Sequence, residues 1–239
     1  MTERVVDLVL TRVRHAARRA PLVAVSGIDG AGKTRLTAGL AERLAARGVR
    51  AAVITVDPWH TPAAMRFNAA DPARHFYRYA FRWDELFARL IEPLRRRRSL
   101  SLTLPLLRLR DDHWYEHAYE FRDVDVVVLE GIFLLRRRLR WRYDIAVWVE
   151  ASFETALRRA LARNQEGVPE AVLRRDYATV YFPAERIHFR RDRPQAGADV
   201  VVDNETQANA SSSAAGAGAS GGAGISASSL VARPQSTIL

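Results

Sequence analysis

Residues 27–34 read GIDGAGKT, and Lys33 within them is the sole lysine of the chain. Lysine and arginine together number 37, so every other basic side chain among them is arginine. The spacing is G-x-x-x-x-G-K-[ST], the pattern of a loop whose backbone amides cradle a phosphate chain. Gly27, Gly30 and Gly32 allow the backbone to come close to the phosphates. Asp29, Ala31 and Arg35 share the loop and the turn after it, so Gly27, Asp29, Gly30, Ala31, Gly32, Lys33, Thr34 and Arg35 are expected to hold a nucleotide. Lys33 is expected to reach the β- and γ-phosphates, and Thr34 to ligate Mg²⁺ through its hydroxyl. An ammonium is a compact charge on a flexible stem, whereas a guanidinium is a broad planar fork that fits poorly in so tight a loop. That contrast accounts for a single lysine surviving in a chain that otherwise writes its positive charge as arginine.

Two carboxylates follow apolar runs: Asp57 in VITVDPWH and Glu130 in VVVLEGIF. An acid at a strand end beside a phosphate loop is the expected partner of Mg²⁺, and Glu130 suits that role. Asp57 suits another, accepting the proton of a substrate hydroxyl as it attacks the γ-phosphate.

These residues need elements to position them. Apolar, β-branched runs at 21–28, 51–57, 123–131, 143–151 and 198–204 read as strands. Helical periodicity marks 34–48, 152–165 and 169–182, and 74–98 begins irregular and turns helical before Pro93. Strands apolar throughout, separated by helices, predict an α/β three-layer fold with a parallel sheet covered on both faces. Ligands of such sheets bind at the carboxyl ends of the strands. Residues 1–20 read as an amphipathic first helix, and 1–204 as one folded domain. From 205 to 239 the chain is rich in Ala, Gly and Ser, which predicts a disordered tail.

Composition narrows the function. There is no cysteine, which excludes disulfides, thiolate zinc sites and a cysteine nucleophile. No apolar run is long enough for a membrane span and no secretory pattern opens the chain, so a cytoplasmic location is expected. The net charge of +10 points to anionic partners. The arginine runs 95–98 and 136–138 read as solvated faces, and Phe76, Tyr77 and Phe81 at helical spacing read first as core.

The segments VAVSGIDGAGKTRL, VITVDPWH, FYRYAFRWDEL, VVVLEGIFLLRRRLRWRYDIAVWVE, ETALRRALARNQEG, YFPAERIHF and ADVVVDN run in one order from about residue 21 to 204. In that order the chain resembles the uridine kinase/phosphoribulokinase family of P-loop kinases, uridine kinases above all. The resemblance implies phosphoryl transfer from ATP, with Mg²⁺, to a small acceptor, the 5′-hydroxyl of uridine or cytidine first among them. It implies that Asp57 is the base and that Trp59, His60, Arg66, Tyr77 and Arg78 lie on the acceptor side. It also implies a mobile lid whose Arg159 and Arg163 neutralise charge on the transferring group. The lid departs from the family pattern, with its arginines four apart and Asn164 following Arg163. Pantothenate, a phosphosugar or another nucleoside are the alternative acceptors, and self-association is compatible with all of them. A nucleotide-switched RNA-binding protein is the more distant alternative. Nucleic acid is not the expected partner, because no basic–aromatic platform for single strands is present.

Overall fold

The structure is a computed structural model that describes residues 2–16, 18–164 and 167–205. Its centre is a five-stranded parallel sheet of β1 (Leu22–Gly27), β2 (Ala51–Thr55), β5 (Val126–Gly131), β6 (Ile145–Glu150) and β7 (Val200–Asp203). The strand order is β2-β5-β1-β6-β7. The middle strands β1 and β5 are buried along their whole length, as the continuous apolar runs require. Register sets the site: Thr55 pairs with Glu130, and Gly27 with Val149, all at the carboxyl edge.

Helices cover both faces. The first, α1 (Thr2–Arg14), buries Val5, Val6 and Val9 and is tied to α2 (Lys33–Ala45) through Glu3, which accepts from Arg43 and Arg47 at 3.0 Å each. Next come α3 (Ala63–Arg66), α4 (Pro72–Tyr79), α5 (Trp83–Glu85) and α6 (Glu92–Arg97). After the sheet crosses to β6 follow α7 (Phe153–Arg163), α8 (Glu170–Asp176) and α9 (Phe182–Asp192). Ser152 caps α7 by accepting from the Thr155 amide at 3.1 Å.

Three features differ from the expectation. A two-stranded antiparallel hairpin, β3 (Leu100–Arg108) with β4 (His113–Phe121), occupies a stretch with no assigned strand. Helices also run on past two prolines. Wide π turns at Leu86–Ile91 and Tyr177–Tyr181 lead directly into α6 and α9, whose second residues are Pro93 and Pro183. Proline has no N–H and its ring crowds the carbonyl four residues back, and a wider turn relieves both problems. The helix expected at 169–182 therefore extends to Asp192.

The third difference concerns the arginine runs, which are not simply solvated. Arg95 is fully buried. It ion-pairs with Asp144 and donates to the Ala20 carbonyl at 3.0 Å. Arg136 is 4% exposed. Of the expected tail only Glu205 is described: its carboxylate accepts from the Ser152 amide and from the Ser152 and Thr155 hydroxyls, all at 2.7 Å. The remainder of the tail lies outside the described residues.

Candidate active site

The loop at residues 27–34 joins β1 to α2. Gly30 and Gly32 have φ of +78° and +92°, where only glycine is unstrained. A Cβ at Gly30 would stand 2.4 Å from the Ala156 carbonyl oxygen, so α7 packs directly on the loop. No side chain caps the first turn of α2, whose amides remain for an anion. Ala31 is buried and Arg35 is exposed on that first turn. Lys33 is buried, and its Nζ donates to the Ile28 carbonyl at 2.9 Å.

Glu130 ends β5 directly behind α2. Its Oε1 accepts from the Thr34 hydroxyl at 3.1 Å and its Oε2 from the Thr37 hydroxyl at 2.7 Å. Thr34 and Glu130 are convergent hard-oxygen donors, a pair that suits Mg²⁺ completed by water and phosphate oxygens. Among the described residues no cluster of three or more His, Asp or Glu side chains offers a metal site made by the protein alone.

Asp57 opens a 3₁₀ turn, Asp57–Trp59, two residues beyond the last residue of β2. It is half-buried. Burial pushes its carboxyl up to about 6, with Asp29 and Glu130 adding to the rise and Lys33 and Arg163 opposing it. These five groups therefore form one electrostatic cluster at the sheet edge.

Asp29 is the hub that links the loop to the helices above it. Its amide donates to Glu185 Oε1 on α9 at 2.7 Å. Its carboxylate accepts from the Tyr177 hydroxyl and from Arg163 Nη2, the latter at 3.4 Å. Burial alone would raise the Asp29 carboxyl, but Lys33, Arg163 and Tyr177 outweigh it and hold it below its ordinary value. Glu185 shows the opposite balance. Burial pushes it up to about 8, the Asp29 amide pulls it down, and the Asp29 carboxylate adds to the rise. Its Oε2 is buried with no hydrogen-bond partner among the described residues.

The sequence-predicted residues divide into three groups. The loop residues, Asp57, Glu130 and Arg163 are brought together. Arg159, one turn before Arg163, is instead bound to the carbonyl of Asn204 at 2.7 Å. Asn204 in turn donates through Nδ2 to the Ala31 carbonyl at 2.7 Å, so Arg159 supports the loop at one remove.

The residues expected on the acceptor side lie in different surroundings. Trp59 has no exposed surface and lies under the Arg82 guanidinium, 5.2 Å from the ring centroid, so it is a core residue. Arg66 is buried and already engaged by the Thr61 carbonyl at 2.6 Å and Asp112 at 2.8 Å, a bracing role rather than an open contact. His60 packs on Phe81 at 4.1 Å between ring centroids, and its Nδ1 donates to the Asp57 carbonyl at 2.6 Å. Burial drives the His60 imidazole down to about 3, so it is neutral at working pH. Tyr77 and Arg78 line a separate, arginine-rich cavity whose walls include neither Asp57 nor Lys33. Sequence reasoning missed Glu185, Tyr177, Asn204 and Thr37 as parts of the site. Only Thr37, three residues after Thr34 on the same helix, carried a readable signal.

Residues 2–63 match the family of the methylmalonyl-CoA mutase-associated GTPase MeaB. That segment spans α1, the loop, β2 and Asp57. No curated protein matches the chain. Among solved structures, it is similar to a possible uridine kinase from Bacillus stearothermophilus, with 23% identity over 85% of this chain and 100% of that one, at a TM-score of 0.63. A candidate fructose transport system kinase from Silicibacter gives 23% identity over 84% and 98%, at 0.65. A D-glycerate 3-kinase from Cryptococcus neoformans gives 14% over 86% and 91%, at 0.55. The fold is thus the three-layer α/β fold of P-loop kinases.

Proposed function

We propose that this protein is a kinase that transfers the γ-phosphoryl group of ATP to a hydroxyl of a small molecule, with the 5′-hydroxyl of uridine or cytidine the first acceptor to test. The observation that carries the reading is Asp57: a carboxylate at the sheet edge, beside the loop lysine, raised to about 6. A base is most effective when its pKa lies near the operating pH. A carboxylate near 6 is ionised at neutral pH yet basic enough to take a hydroxyl proton in the transition state.

The other groups have complementary tasks. Lys33, Arg163 and the loop amides balance charge on the transferring group. Thr34 and Glu130 would hold Mg²⁺, which would supply charge neutralisation at the phosphate oxygens. Neutral His60 fixes the turn that presents Asp57 by holding its carbonyl. The uridine assignment rests on the ordered motif resemblance and on the likeness to a possible uridine kinase. Pantothenate, a phosphosugar or another nucleoside would use the same chemistry.

A second reading, a nucleotide-hydrolysing switch, is favoured by the match of residues 2–63 to the MeaB family. In that case water is the acceptor. One assay separates the readings: nucleotide turnover measured with ATP or GTP against a panel of nucleosides, pantothenate and sugar phosphates. Acceptor-dependent ADP release supports the kinase, with uridine or cytidine expected to give the highest kcat/KM. Turnover that no acceptor stimulates, and that favours GTP, supports the switch.

A further inference from the structure

On the outer side of α9, away from the phosphate loop, lies a cavity of about 1110 Å³. Its walls come from α4, from the run 136–138 after β5, and from α9. Eight of the thirteen lining residues are arginine and two are aspartate. None of Lys33, Asp57 or Glu130 lines it, so the proposed reaction makes no use of it.

The two acids do not neutralise the cavity. Asp71 is paired with Arg74 on its own helix at 3.0 Å. Asp192 keeps its charge, but its oxygens are taken: its carboxylate accepts from the Tyr77 hydroxyl at 2.5 Å, His188 Nδ1 at 2.7 Å and the Arg137 amide at 3.1 Å, and two acids against eight arginines leave the cavity strongly positive. Arg136 stands at the floor. It is 4% exposed, its guanidinium lies 4.1 Å from the Tyr77 ring centroid, and its Nε and Nη2 have no hydrogen-bond partner among the described residues. A buried cation without an acceptor is costly. Arg138 and Arg191 add to that cost and Asp192 offsets part of it, leaving burial to pull the guanidinium down.

The geometry points to a binding site for a small polyanion, a molecule carrying two or more phosphate groups close together. Guanidinium forks match phosphate oxygens in pairs, and several forks on rigid helices specify clustered phosphates over a single one. The concave shape and the buried arginine at its floor favour a molecule that enters over a flat lipid surface that only touches the rim. The ring of Tyr77 holds the Arg136 plane while its hydroxyl is fixed by Asp192, so the floor is built before any ligand arrives.

Titration calorimetry on the full chain with inositol hexakisphosphate, at about 0.15 M salt, tests this. One-to-one saturable binding is expected. The double variant Arg190→Ser/Arg191→Ser, at exposed positions of α9, is expected to weaken it by about tenfold or more. The charge-matched double variant Arg96→Ser/Arg97→Ser, on the exposed side of α6, is expected to leave it within about twofold. Arg136→Gln is expected to lose at least as much as the α9 pair. Should it fail to fold, the α9 and α6 pairs still decide the matter. Absence of saturable binding, or equal losses in the two pairs, overturns the site in favour of diffuse charge. Sedimentation with vesicles containing phosphatidylinositol bisphosphate separates the source of the phosphates. Vesicle binding without binding of the soluble probe overturns the proposal in favour of a membrane surface.

Discussion

At the residue scale, Lys33 carries a sharp test. Its Nζ lies folded against the Ile28 carbonyl in a buried position, and a guanidinium has neither the size nor the shape to turn there. Lys33→Arg is expected to fold normally, by circular dichroism and melting, and to lose more than about tenfold in kcat, or about 1.4 kcal/mol. Retention above that level means that charge alone suffices. Asp57 carries the second test. With its carboxyl at about 6, kcat/KM is expected to rise with pH through that value, because only the ionised form accepts a proton. Asp57→Asn is expected to lower kcat by about 10²–10⁴-fold and to abolish the rise. Glu130→Gln is expected instead to raise the Mg²⁺ needed for half-maximal rate, with excess Mg²⁺ restoring part of it. Rescue of the Asp57 variant by Mg²⁺ would exchange the two roles. That Lys33, Thr34, Asp57 and Glu130 come together was legible, because each lies in a short motif at or just after a strand end. Glu185 was not. It meets Asp29 across 156 residues, and a glutamate on a helix gives no sign of being buried.

At the element scale, the parallel strands were legible because buried central strands are apolar throughout, and the register of β2 against β5 then brings Asp57 and Glu130 to one edge. The hairpin of β3 and β4 was not, since Pro105 interrupts its first strand and half its side chains face solvent. The reach of α9 was hidden by Pro183, which ordinarily ends a helix, until the π turn before it is seen. That extra length matters, because it carries Glu185 to the loop. The helix–loop contact has a pH signature. Burial lifts Glu185 from 4.5 to about 8 in the folded protein. Between those values the folded chain holds a proton that the unfolded chain has released. Stability is therefore greatest at the acidic end of this window and falls as pH rises through about 8, by up to about 1.4 kcal/mol per pH unit for one proton. Glu185→Gln is neutral at every pH and keeps an acceptor for the Asp29 amide. Urea unfolding from pH 5 to pH 8 is expected to show a shallower decline in the variant than in the parent. Parallel profiles would mean that Glu185 is ionised in the folded state.

At the scale of the whole molecule, charge is distributed in a way that counting could not disclose. Four consecutive arginines at 95–98 look alike in sequence, but a helix turns each by about 100°, so one of them can face inward. Arg95 is that one. It pairs with Asp144 at the start of β6 and donates to the carbonyls of Ala20 and Arg142, at 3.0 and 3.2 Å. Asp144 also accepts from the Leu22 amide at 2.8 Å. One guanidinium thus joins α6, the segment entering β1, and the approach to β6, at the amino edge of the sheet and far from the phosphate loop. Removing it takes the nearest cation from Asp144, which keeps the Leu22 amide and a more distant Arg19, and a donor from two backbone carbonyls. Arg95→Ala is expected to cost about 3–5 kcal/mol in urea unfolding, since breaking one side of a buried pair strands the other. Arg96→Ala, one residue along and exposed, is expected to stay within about 0.5 kcal/mol. The pair is separable from its volume by a cycle: Arg95→Met with Asp144→Asn removes both charges while keeping most of the packing, and is expected to recover a substantial part of the loss. If Arg95→Met alone is as stable as the parent, the ion pair contributes nothing beyond its methylenes. The folded fraction of every variant is expected to keep the parent's kcat, because nothing in this network touches Asp57, Lys33 or Glu130. A fall in kcat at full folding would show that the amino edge of the sheet sets the position of the carboxyl edge.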